Sequence, residues 1–130
     1  MSYSDPIMSQ TLSFGLIDFG AGNTALSFKG PLGMKGILRE VTVVATEVFN
    51  SVTTGANVTI GTSGDADAYA LVNLTDLGAT DTFVASQDDT DGIINNVIPA
   101  NTQVEMVMTA PTGGTPSGIG YVFIDIDWGA

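Results

Sequence analysis

The sequence predicts an all-β fold, an antiparallel β-sandwich of jelly-roll-like form with about eight strands. Three observations predict it. Apolar and polar residues alternate with a period of two in several segments, which is the signature of strands with one face in a core. No long window carries apolar residues at helical spacing. Turn-forming clusters recur at intervals of roughly 8–12 residues, with no room for crossover helices.

From the N-terminus, Met1 to Ser9 read as a polar, Pro-containing extended arm, and residues 10–130 as one sandwich domain. Thr11–Phe19 and Ala25–Phe28 are weaker strand candidates, separated by the turn residues Gly20-Ala21-Gly22-Asn23. Ile37 to Val48 alternates more clearly, and its phase puts Ile37, Val41, Val43 and Ala45 on one face together with Arg39. Asn57–Gly61, Ala66–Asn73, Asp81–Ala85 and Ile93–Val97 follow, punctuated by Ser63-Gly64-Asp65 and Asp91-Gly92. In Gln103–Thr109, Val104, Met106 and Met108 point inward while Gln103, Glu105 and Thr109 point outward. The final segment is the clearest. Val122, Ile124 and Ile126 share the core face, and Tyr121, Phe123, Asp125 and Asp127 share the other.

The 130 residues suffice for one domain with a hydrophobic core that needs no staples. The chain contains no Cys, so no disulfide framework is expected. Residues Met1 to Ile7 have neither a basic nor an apolar stretch of signal-peptide type. No apolar run approaches the ~20 residues of a spanning helix, and a soluble protein is expected.

Charge narrows the partners. Three basic residues stand against fourteen acidic ones, for a net charge of −11. Phosphate recognition needs clustered Lys and Arg, so neither nucleic acid nor an anionic membrane is expected as a partner. All three cations, Lys29, Lys35 and Arg39, fall in one short segment. Two readings stand: a docking patch for an acidic partner, or charges that guard the start of an edge strand.

Catalytic chemistry is sparse. Without His or Cys, neither a Ser-His-Asp triad nor a thiolate nucleophile can be drawn. Paired carboxylates remain as the one route to an enzyme, and it needs two acids about 5–10 Å apart in a cleft. No catalytic residue and no cofactor is assigned. Gly20 to Ala25 fits a dinucleotide-binding pattern, but Leu26 to Pro31 leave no room for the helix it requires. Weak calcium candidates are Asp65 with Asp67 and Asp89 with Asp91. The second pair sits in a run resembling the start of an EF-hand loop, yet Ile98 occupies the place of the bidentate Glu. Solvated turns are the favoured reading of both pairs, with an irregular calcium site joining turns as the alternative. Asn57 and Asn73 begin sequon-like triplets read as coincidental. The interface candidates are Tyr121 and Phe123, outward on the last strand, with Trp128 just beyond them, and the basic residues Lys29, Lys35 and Arg39.

Several of these segments resemble one family. They are Gly36 to Val43 with Glu47-Val48-Phe49, then Ala56-Asn57-Val58-Thr59-Ile60-Gly61, then Gly64-Asp65-Ala66-Asp67-Ala68-Tyr69. Ile98-Pro99-Ala100-Asn101-Thr102, Val104 to Thr109, and Gly118 to Ile124 complete the set. Together they resemble small jelly-roll-like proteins of tailed-phage heads, which act as capsid decoration (cement) or head-fibre proteins. Asn101 stands where that pattern more often has Gly, and Met1 to Phe28 lie outside the resemblance. The resemblance implies a virion protein on the exterior of the capsid, bound to the major capsid protein and self-associated as a homotrimer. A carbohydrate- or receptor-binding module of a fibre or spike is the alternative.

Overall fold

A computed structural model describes residues 8–50, 53–74, 77, 81–86 and 92–129. Its strands are β1 (Met8–Asp18), β2 (Thr24–Lys29), β3 (Lys35–Asn50), β4 (Asn57–Thr62), β5 (Asp65–Asn73), β6 (Thr82–Ser86), β7 (Val97–Ile98), β8 (Gln103–Thr109) and β9 (Ser117–Gly129). A 3-10 turn, Phe19–Ala21, joins β1 to β2, where the dinucleotide motif would have required a helix. Every segment the alternation marked as a strand contains one except Ile93–Val97. Ile93–Val97 shrinks to an isolated bridge at Ile93 and the two-residue β7.

The strands form two sheets, with orders β1-β9-β3-β6 and β2-β8-β4-β5. The pairings are nested: β1 with β9, β2 with β8, β3 with β6, and β4 with β5, all antiparallel. A chain folded back on itself as one long ribbon and then rolled into two sheets has this connectivity. It is that of a jelly roll, with β7 added beside the start of β3.

Between the sheets lies one core. Leu38, Val41, Val43, Val122, Ile124 and Ile126 meet Val58, Ile60, Val72, Val104, Met106 and Met108. At one end Phe19 packs edge-on against Phe49, with centroids 5.0 Å apart. The opposite end is filled by Trp128, which is only 1% exposed and donates from Nε1 to Gln10 Oε1 at 2.9 Å.

Three sequence expectations change. The alternation of β9 continues two residues past Ile126, so Trp128 points inward and not outward with Tyr121 and Phe123. In β3 the pairing with β9 shifts register between Leu38 and Glu40. Such a bulge inserts one residue and reverses the facing of everything before it. Leu38 is therefore fully buried, while Ile37 is half-buried and Arg39 is exposed, apart from the face of Val41 and Val43. Finally, β1 begins at Met8, so Met8 and Ser9 belong to the sheet and not to an arm.

Candidate functional site: the outer face of the β1-β9-β3-β6 sheet

Residues paired across adjacent strands lie on the same face of a sheet, so the register defines rows on its outer surface. One row runs Leu16, Tyr121, Val44, Thr82. The next runs Ser13, Phe123, Thr42, Val84. Tyr121, Leu16 and Val84 are 40%, 54% and 45% exposed, and Phe123 and Val44 are half-buried. The Tyr121 and Phe123 rings are stacked, 6.4 Å between centroids and 24° between planes. Five apolar side chains from four strands thus form a contiguous strip, held on hydrogen-bonded backbone.

Carboxylates bound the strip at both ends. Beyond the Tyr121 row, Asp18 pairs with Ile119 and Ile119 with Glu47. Beyond the Phe123 row, Thr11, Asp125 and Glu40 are paired, followed by Ser9, Asp127 and Ile37. The polar end is a shallow depression lined by Ser9, Thr11, Arg39, Glu40, Asp125 and Asp127. Arg39 bridges to Asp127 Oδ2 at 2.7 Å, and Ser9 donates to Asp127 Oδ1 at 2.7 Å. Thr11 donates to Asp125 Oδ1 at 2.5 Å. The hydrogen bond from Arg39, with that from Ser9 second, holds the Asp127 carboxyl below the usual range, and the same pair raises Arg39. A general acid needs the opposite shift, so Asp127 is not suited to donate a proton in paired-carboxylate hydrolysis.

The three basic residues do not form a single unpaired patch. Arg39 is neutralised by Asp127, whereas Lys29 and Lys35 stand at the two feet of the β2–β3 connection, on different sheets. Nor do Lys35 and Arg39 guard an edge: β3 lies between β9 on one side and β6 and β7 on the other. Among the described residues, no group of three His, Cys, Asp or Glu side chains could hold a metal ion. Asp65 is exposed and Asp67 half-buried at the start of β5; Asp89 and Asp91 lie outside the described residues.

Leu16, Val44 and Val84 were absent from the sequence-derived site. Their only sequence signal is phase: Val44 sits between two inward residues and so must face out. Leu32 was missed as well. It is 91% exposed at the corner of a turn closed by Met34 N–H donating to Pro31 O at 3.1 Å. Comparison with family models, with curated proteins and with solved structures found no match to this chain. Among the described residues no helix is long and apolar enough to cross a membrane.

Proposed function

We propose that this chain is a non-enzymatic virion structural protein that decorates and stabilises the outside of a phage capsid, binding the major capsid protein and associating as a homotrimer. The observation that carries the reading is the apolar strip around Tyr121 and Phe123, an exposed surface on a rigid sheet and suited to protein contact. Two further points support it. The jelly-roll connectivity agrees with the fold that the family resemblance implies. The residue inventory, without His or Cys and with three cations, favours binding over catalysis. Function through many copies suits a modest interface, because repeated weak contacts on one shell add to high avidity and each bound copy favours the intact shell by mass action.

The test is reconstitution. Particles built from the cognate capsid protein but lacking this chain are mixed with purified protein and imaged by electron microscopy. Added density on the capsid exterior, together with a higher temperature for particle rupture, is the expected result. Protein that stays in the supernatant at saturating concentration refutes the proposal.

The exposed aromatic pair also favours a second reading, a carbohydrate- or receptor-binding module of a fibre or spike, since rings on a strand face can stack on sugars. A glycan array distinguishes the two: a saturable hit that Tyr121→Ala removes supports the module, and a blank array supports the capsid reading.

A further inference from the structure

The Leu32 turn and the apolar strip are opposite in shape and in charge. At the turn, Leu32 projects almost wholly into solvent between Lys29 and Lys35. Neither lysine has an ion-pair partner among the described residues. The turn is also braced. Gly33 takes φ +77°, as the third position of such a turn requires. Its N–H donates to Asn101 Oδ1 at 2.9 Å, and Asn101 itself holds φ +61°. At the base of the turn, Gly30 and Gly36 lie so close to the Trp128 ring that an added Cβ would come within 2.2 and 2.6 Å of it. A turn braced in this way loses little backbone freedom on binding, which favours a preorganised anchor.

The strip on the outer face offers what that anchor lacks. It is an apolar surface centred on Tyr121 and Phe123, with Asp18 and Glu47 at one end and Asp125 and Glu40 at the other. We propose that the Leu32 turn of one copy docks on the Tyr121–Phe123 strip of a second copy, with Lys29 and Lys35 meeting the carboxylates that border it. Charge selects this arrangement. A face-to-face contact of two strips would set carboxylates against carboxylates in a chain of net charge −11, whereas anchor-to-strip contact sets the unpaired lysines against them. The contact is heterologous: each copy uses one surface to hold and the other to be held, so successive copies form a closed ring when the rotation permits. The inference rests on the proposed function only for the premise that copies of the chain associate; capsid binding plays no part in it.

The test uses the full chain without capsids, in analytical ultracentrifugation over a concentration series. The wild type is expected to form a defined oligomer. Leu32→Asp and Tyr121→Asp should each be monomeric with unchanged circular dichroism, because both side chains are exposed. Burying one Leu accounts for a loss of affinity of about ten- to a hundredfold, and a buried carboxylate adds to it. Mixing the two variants is the decisive step, since each retains the surface that the other lacks. The mixture should form 1:1 dimers and nothing larger. The double variant Lys29→Glu, Lys35→Glu, with Leu32 intact, should weaken association at least about tenfold. A monomeric wild type, an oligomer indifferent to Leu32→Asp or to the lysine reversal, or a mixture that stays monomeric overturns the inference. Failure of the capsid reconstitution would overturn the proposed function instead, and leaves these outcomes readable.

Discussion

Replacing Trp128 with Ala separates a core role from a surface role. The ring is 1% exposed and closes one end of the sandwich, in contact range of Gly30 and Gly36. Removing a buried aromatic of this kind costs about 3–5 kcal/mol. Loss of the Nε1 hydrogen bond adds little, because Gln10 is exposed and water replaces the donor. A domain of this size has a total stability of about 5–15 kcal/mol, so the variant keeps a strongly reduced margin at best. At a slope of about 2 kcal/mol per molar urea, the midpoint falls by roughly 1.5–2.5 M. Circular dichroism is the assay, since Trp128 is the one tryptophan and its fluorescence disappears with it. In the wild type that same fluorescence should be blue-shifted and resistant to acrylamide. A double-mutant cycle adds a sharper check. Gly36→Ala puts a methyl 2.6 Å from the ring and 3.1 Å from Ile126 Cγ2, so it is destabilising in the wild type and should be clearly less so once the ring is gone. A midpoint change under about 0.5 M in Trp128→Ala, or equal effects of Gly36→Ala in both backgrounds, would refute the placement of this residue in the core.

Three further outcomes are expected. Because the bulge puts Leu38 inward and Ile37 half outward, Leu38→Ala should cost about 2–5 kcal/mol and Ile37→Ala well under half as much; the reverse order in urea unfolding contradicts the register. Asp127 has a lowered carboxyl pKa, so the stability it contributes is present above the ordinary carboxylate range and is lost as pH falls through the lowered value. The fall in urea midpoint between neutral and acid pH should accordingly be smaller in Asp127→Asn than in the wild type. Burial raises the Tyr69 phenol, so its stabilisation is complete below the ordinary tyrosine range and is lost as pH rises through the raised value. An ultraviolet titration should show a phenol ionising above the ordinary tyrosine range, and Tyr69→Phe should remove that step.

Much of the architecture was legible in the sequence because strand alternation is a local property. Each of β8 and β9 carries its own record of which side chains face in, and the buried residues Val104, Met106, Met108, Val122, Ile124 and Ile126 follow that record. Asn101 is informative in a different way. Its φ of +61° lies in the left-handed region, which Asn tolerates better than most side chains and which no strand pattern foretells.

The candidate site was only half legible. Tyr121 and Phe123 followed from phase, and the surface they belong to did not. Leu16 meets Tyr121 from more than a hundred positions away in the chain, and Val84 reaches the Phe123 row only through the pairing of β6 with β3. The bulge near Arg39 is likewise a product of pairing, since only a partner strand defines the extra residue. The sequence by itself determined the all-β class, the longer strands, the inward faces of the last two long strands, and a residue inventory poor in catalytic chemistry. The tertiary structure alone decided that Trp128 closes the core, that Arg39 is tied to Asp127, and that apolar residues of four strands form one strip bordered by carboxylates. The physical reason is range: alternation is written between neighbours in the chain, and a surface is written by hydrogen-bonded pairing between segments that meet only when the chain rolls up.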